Sequence, residues 1–243
     1  MKKYVLVTGS SRGIGRSTAL LFAEKGFHVF LNCRRSAKEI AAVKEEIDSS
    51  SLGSCEILMG DVGNPDEVRV MFKQIGQTCR RLDVLVNNAG ISHIGLLSEM
   101  SDGEWQRIMQ TNLSSVFYCC RAAIPGMVAV KRGRIINVSS MWGVSGASCE
   151  TAYSASKAGV GGLTRALAKE LAPSSIQVNA VACGVVDTAM NGQLNEEEKQ
   201  ALAYDIPMGR FCTPGEIAKV IWDMANAPEY MTGQVIGVDG GYL

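Results

Sequence analysis

Tyr153 and Lys157, in the run Tyr153-Ser-Ala-Ser-Lys157, stand four residues apart, so on a helix both side chains share one face, one turn apart. A tyrosine with its ordinary pKa near ~10 is a poor base and a modest acid at neutral pH. An ammonium group beside it favours the phenolate and moves that pKa toward the working range, which suits proton transfer. Ser140, in Val138-Ser-Ser-Met141, closes an apolar run that reads as a strand. Its hydroxyl is placed to hydrogen-bond a substrate carbonyl and turn it toward the tyrosine. Tyr-x-x-x-Lys is common on solvated helices, so the reading depends on what positions it.

A second chemical stretch is Thr8-Gly-Ser-Ser-Arg-Gly-Ile-Gly15, set between the apolar run Tyr4-Val-Leu-Val7 and an amphipathic run carrying Ile14, Ala19, Leu20, Phe22 and Ala23. A strand, a tight glycine turn and a helix start gather backbone N–H groups and a positive helix end at one point, which holds a pyrophosphate. Gly9, Gly13 and Gly15 then serve the turn, the approach of the phosphates and the helix–strand packing. The spacing departs from G-x-G-x-x-G, so the motif alone is weak. After the second strand, where an acidic side chain would take the ribose hydroxyls of NAD, the chain reads Leu31-Asn-Cys-Arg-Arg35. A guanidinium binds a ribose 2′-phosphate that a carboxylate would repel. Arg12 and Arg34 are therefore expected to clamp the phosphate of NADP(H), with Arg35 or Ser36 as helper.

The elements that must carry these groups alternate from end to end. Strands are expected at 4–7, 28–32, 55–59, 84–86, 134–138, 176–181 and 234–238. Helices are expected from Gly15 to Gly26, over 37–47, from Pro65 behind an Asn64 cap to about Cys79, from Ser101 toward Val130, over 152–171, and from Pro214. Such alternation implies a parallel sheet covered by helices on both faces, here as one domain over residues 1–243. The least regular stretch, Gly184 to Arg210, follows a strand's carboxyl end and reads as a lid over the substrate or a solvated surface helix.

Composition narrows the function class. The chain has 243 residues, 47% hydrophobic, with 24 basic and 24 acidic side chains, so no strongly charged surface suggests nucleic acid or an anionic membrane. No apolar run is long enough to span a bilayer and no signal peptide is visible, which points to the cytoplasm. The eight cysteines are scattered without a C-x-x-C pair and with only two histidines. They read as free thiols rather than disulfides or a metal site.

Taken together, Thr8-Gly-x-x-x-Gly-Ile-Gly15, Asp61-Val62, Asn87-Asn-Ala-Gly90, Asn112, Ser140, Tyr153 and Lys157 resemble the short-chain dehydrogenase/reductase family over essentially the whole chain. The resemblance implies a doubly wound Rossmann fold of seven parallel strands, with hydride transfer from the nicotinamide to a carbonyl carbon. It implies that Tyr153 protonates the forming alkoxide, Ser140 polarises the carbonyl, and Lys157 holds the nicotinamide ribose and lowers the tyrosine pKa. Asn112 would hold a water linking Lys157 to solvent. It also implies cofactor contacts at Gly9, Ser11, Arg12, Gly13, Ile14, Gly15, Arg34, Asp61, Val62, Asn88, Ala89, Gly90, Tyr153, Lys157, Gly184, Val186 and Thr188. Ser140-Met-Trp-Gly143 matches the family's Ser-x-x-Gly pattern, which selects Ser140 over Ser139. One departure is Cys183-Gly184, where the family has Pro-Gly; losing the proline frees a dihedral and restores an N–H, which reads either as a tolerated substitution or as a loosening of the loop over the nicotinamide.

Within the family, Ser-Ser-Arg-Gly-Ile-Gly and the ending Thr232-Gly-Gln-Val-Ile-Gly-Val-Asp-Gly-Gly241 are most similar to bacterial 3-oxoacyl-carrier-protein reductases. This implies reduction of a β-keto acyl thioester, with acyl carrier protein as a partner and a homotetramer joined through the long helices. Lys131-Arg132 are candidates to meet the acidic carrier, whereas Ala172-Pro-Ser-Ser175 lacks the arginine often found there. Met141, Trp142, Val144 and Cys149 suit a bulky or apolar substrate. Two alternatives stay open: an NADP(H)-dependent dehydrogenase of steroids or other secondary alcohols, and a dinucleotide-binding sensor without chemistry. The intact Ser140, Tyr153, Lys157 and Asn112 argue against the sensor.

Overall fold

Seven short runs rich in Val, Ile and Leu build a single parallel sheet. The computed structural model describes residues 2–50, 52–192 and 194–243. The strands are β1 (Tyr4–Val7), β2 (His28–Cys33), β3 (Ser54–Met59), β4 (Val84–Asn87), β5 (Gly133–Ser140), β6 (Ile176–Cys183) and β7 (Val235–Val238). Their order in the sheet is β3-β2-β1-β4-β5-β6-β7. The order reverses between β1 and β4, so helices leave the two strands on opposite faces and a crevice opens at their carboxyl ends.

Alternation along each strand sends side chains to two separate cores. Val5 and Val7 pack with Phe22 of α1 (Gly13–Glu24), Ile40 of α2 (Ala37–Ser50) and Ile217 of α9 (Pro214–Ala225). Leu6, between them, packs on the other face with Met71 of α3 (Pro65–Thr78), Cys119 of α5 (Ser115–Ala129) and Val160 of α7 (Thr151–Leu171). The α3 start is as its sequence suggests: Asn64 Oδ1 accepts from the Asp66 N–H at 2.9 Å, with Pro65 in the first turn. No described helix is long and apolar enough to cross a membrane. The eight cysteines are free thiols, five of them buried.

One expectation needs correction. The helix expected from Ser101 toward Val130 is interrupted: α4 (Asp102–Met109) gives way to a π-helical turn over Gln110–Ser114 before α5 begins. In that turn the Ser115 N–H reaches back five residues to the Gln110 carbonyl, so the helix path is offset and one side chain is redirected inward. The irregular stretch after β6 contains the surface helix that its sequence allows. Residues 196–205 form a further helix, α8 (Glu196–Asp205), started by a reciprocal cap in which Asn195 and Glu198 satisfy each other's backbone N–H groups. A short helix, α6 (Trp142–Ser145), also follows β5 directly.

Candidate active site

At the carboxyl ends of the strands lies a cleft of about 900 Å³. The β1–α1 turn forms its floor at one end. Gly9 has φ +65°, a conformation that favours glycine. Gly15 does not line the cleft but packs beneath it: a Cβ there would lie 2.3 Å from the Gly9 carbonyl oxygen and 2.5 Å from Asn88 Nδ2. The turn is tied to β4 and β2 by buried polar groups. Thr8 Oγ1 accepts from the N–H groups of Asn88 and Ala89, and Asn88 Nδ2 donates to the carbonyls of Thr8 and Gly9. Asn32 Oδ1 accepts from Gly9 N–H while its Nδ2 donates to the Leu58 and Gly60 carbonyls. Sequence reasoning passed over Asn32 and gave Thr8 no role beyond the motif. The signal was present, since a polar amide inside the apolar run of β2 must find partners.

The helix start above this turn is prepared for an anion. Asn64, Ser101, Asn195 and Thr213 cap α3, α4, α8 and α9 with side-chain oxygens, whereas the residue capping α1 is Arg12, which contributes no side-chain hydrogen bond. α1 thus begins without a side-chain cap, as α6 and α7 also do, and its first residues Gly13 and Ile14 line the cleft beside Ser11 and Arg12. Thr188 closes over this point, its Cγ2 lying 3.2 Å from where a Gly13 Cβ would be. Farther along, the exposed Arg34 forms an ion pair with Asp61 at 3.1 Å, next to Val62. The cleft fits a dinucleotide: an uncapped helix end for the pyrophosphate and guanidinium groups at the far pole.

The other half of the cleft carries the groups suited to proton transfer. Ser140 ends β5 opposite Cys183 of β6, and its Oγ accepts from the Trp142 N–H at 3.2 Å and bonds the Tyr153 hydroxyl. Tyr153 and Lys157 project from one face of α7, with Lys157 Nζ 5.7 Å from the tyrosine ring centre. Nζ donates to the Val138 carbonyl at 2.8 Å. Burial brings Lys157 down to about 8. Burial also pushes the Tyr153 phenol above its ordinary value, with Ser140 pulling it back in part. The lowering of Tyr153 expected from the ammonium is not among these influences, and Nζ is turned onto the Val138 carbonyl.

Asn112 sits in the π turn, behind the cleft wall. Its Oδ1 accepts from Ile91 N–H, and its Nδ2 donates to the Ile91 carbonyl and Ser156 Oγ. A Cβ on Gly90 would lie 3.4 Å from Lys157 Nζ and 3.5 Å from Asn112 Oδ1, so the two side chains flank the same glycine. Gly184 and Val186, after β6, complete this side. Cys183 is the last residue of β6, in register with Ser140 and Val238, and burial pushes its thiol up to about 12. The sheet holds Cys183 itself on both sides, and the loop over the cleft begins at Gly184. Lys131 and Arg132 precede β5, whereas the cleft lies beyond its other end. Eight strand residues, roughly 25 Å, separate them from the site on the same chain.

The buried ammonium has a measurable cost. An unfolded lysine keeps its value near 10.5, so between about pH 8 and 10.5 the unfolded chain binds this proton more firmly than the folded one. The penalty is complete below that window and disappears as pH rises through it. Lys157→Met is expected to be about 1–3 kcal/mol more stable than the parent toward urea near neutral pH, losing this advantage by pH 10.5. Matching urea midpoints near neutral pH would remove the argument.

Comparison with known proteins decides the family. A family model described as short chain dehydrogenase matches residues 3–199. The chain belongs to the short-chain dehydrogenases. The 3-oxoacyl-(acyl-carrier-protein) reductase FabG of Staphylococcus aureus strain Mu50 is 43% identical over 242 residues, covering 99% of this chain and 98% of that protein. The uncharacterized oxidoreductase YmfI of Bacillus subtilis strain 168 is 37% identical over 243 residues, covering 100% and 99%. A crystal structure of the 3-oxoacyl-(acyl-carrier-protein) reductase from Brucella melitensis superimposes with a TM-score of 0.92 at 35% identity, over 99% of this chain and 91% of that one. As a short-chain dehydrogenase, the chain is an oxidoreductase of carbonyl or hydroxyl groups that depends on a nicotinamide dinucleotide.

Proposed function

We propose that the chain is an NADPH-dependent 3-oxoacyl thioester reductase, with acyl carrier protein as the natural acyl donor. The observation that carries the reading is the juxtaposition of Ser140, Tyr153 and Lys157 at one end of a cleft whose other end presents an uncapped helix and Arg34. The names of the relatives supply the substrate class.

When bound, the nicotinamide dinucleotide supplies a hydride to the ketone carbon. Arg12, Arg34 and the α1 N–H groups hold the phosphates, and Asp61, Val62, Asn88, Ala89, Gly90 and Thr188 line the space between them and the reacting end. Ser140 Oγ and the Tyr153 hydroxyl converge on the carbonyl oxygen and orient it. As charge develops on that oxygen, Tyr153 releases its proton to it, completing the hydroxyl. Lys157 holds the ribose and stabilises the phenolate left behind, and a water between Lys157 and Asn112 leads a replacement proton inward.

Oxidation of NADPH followed with acetoacetyl thioesters, beside a panel of steroid and sugar ketones, tests the substrate. Turnover of the other ketones without the thioester overturns the reading. A second reading, reduction of a small ketone carried by no protein, is favoured by the distance of Lys131-Arg132 from the cleft. Acyl carrier protein lowering the KM of the acyl group rejects it. Arg34→Ala is expected to raise the KM for NADPH about tenfold or more, through loss of a charge-assisted phosphate contact, with a smaller change for NADH. Equal changes would show that Arg34 does not read the 2′-phosphate.

A further inference from the structure

One wall of the cleft takes no part in the chemistry above. Glu150 lines the cleft half-buried at the start of α7, three residues before Tyr153. Its carboxylate accepts a hydrogen bond from the Trp142 side chain on α6. Trp142 is braced in turn by Tyr242, the rings meeting edge to face with centres 5.6 Å apart. The tail bearing Tyr242 is fastened beyond α8, where the Gly240 carbonyl accepts from Met208 N–H at 3.2 Å. The carboxylate is therefore part of a braced wall rather than a free surface group.

Its charge reaches the reacting centre. Glu150 is among the groups that push the Tyr153 phenol upward. The buried cation of the cleft, Lys157, spends one of its protons on the Val138 carbonyl. Toward the rim, Glu104 and Arg107 stand three residues apart on α4 with opposite charges, and Glu104 lies 3.8 Å from His93. Burial raises the Glu150 carboxyl above its ordinary value while the Trp142 hydrogen bond pulls it back, and in its ionised form it sets a negative charge against an anionic substrate entering beside it.

We infer that Glu150 is a charge filter for the substrate, admitting neutral 3-oxo esters and thioesters and turning away free 3-oxo carboxylates. The two classes present the same ketone two carbons from the carboxyl carbon, and they differ in the charge that this carbon carries. Two like charges held in one half-buried site repel strongly at the effective dielectric of a protein surface site, enough for a tenfold or larger discrimination. The inference rests on the 3-oxoacyl reading of the pocket.

The test measures binding of acetoacetate and of methyl acetoacetate to the enzyme–NADP+ complex, which cannot reduce either ketone, at neutral pH by isothermal titration calorimetry. It compares the parent with Glu150→Gln, which keeps an oxygen to accept from Trp142. Because binding is read, the answer does not depend on which ketone is turned over. The parent is expected to bind the ester about tenfold or more tightly than the acid. Glu150→Gln is expected to close most of that gap through tighter binding of the acid. Equal affinities in the parent, or a Glu150→Gln protein that still refuses the acid, overturn the filter. Failure of both proteins to bind the ester sinks the 3-oxoacyl reading of the pocket and the filter with it.

Discussion

Tyr153→Phe is expected to lower kcat for ketone reduction about 100- to 10,000-fold while leaving affinity for the reduced cofactor nearly unchanged. The phenyl ring keeps the packing of a side chain that is 9% exposed, and only the hydroxyl is lost. That hydroxyl is bonded to Ser140, so its removal also deprives Ser140 of a partner at the reacting oxygen. Cofactor fluorescence measures the affinity and stopped-flow reduction measures the step. A variant retaining a tenth of the parental kcat would show that another group delivers the proton. A variant that no longer binds cofactor would mean that the ring, rather than the proton, is what the site requires.

Gly15→Ala is expected to weaken dinucleotide binding by about 100-fold and to lower Tm by about 5 °C, as overpacking typically costs 1–3 kcal/mol. The added methyl would meet the Gly9 carbonyl oxygen and Asn88 Nδ2, and neither can yield easily. Asn88 Nδ2 already donates to the carbonyls of Thr8 and Gly9, so the methyl must wedge the turn away from β4. Gly162→Ala is the control: it lies in α7, and nothing stands within 4 Å of its added Cβ. Isothermal titration with NADPH and thermal melts of the two variants decide the point. Equal losses in both would refer the effect to general helix chemistry instead of the turn.

Much of the sheet was legible because buried parallel strands announce themselves as short β-branched runs, and turns between them carry Gly, Pro and capping residues. Tyr4–Val7 begins and ends where its sequence does, and the Asn64-Pro65 start of α3 needs no tertiary context. The site was readable where chemistry fixes both residue type and spacing, as with Tyr153 and Lys157 on one helical face. It was opaque where the determinant is a backbone path. Nothing in Gln110-Thr-Asn-Leu-Ser114 signals a π turn, because its i-to-i+5 bond is chosen by packing against Ile91 and Ser156. The cap Asn195…Glu198 is a local signal of α8, and its polar, charged sequence suits the solvated surface helix that forms there. For Tyr153 the spacing predicts proximity to Lys157, whereas burial and the direction of Lys157 Nζ come from the whole fold.

The π turn also bears on how this chain can change over evolutionary time. It holds one residue more than a regular helix of the same path needs, so deleting that residue would let α4 and α5 run on as one regular helix with neither turned. What would be lost is the local offset that carries Asn112 to Ile91 and Ser156. Point substitutions along α4 leave that offset in place, whereas a one-residue change in length abolishes it in a single step. The length of the segment is therefore tied to the position of Asn112, and its composition is not.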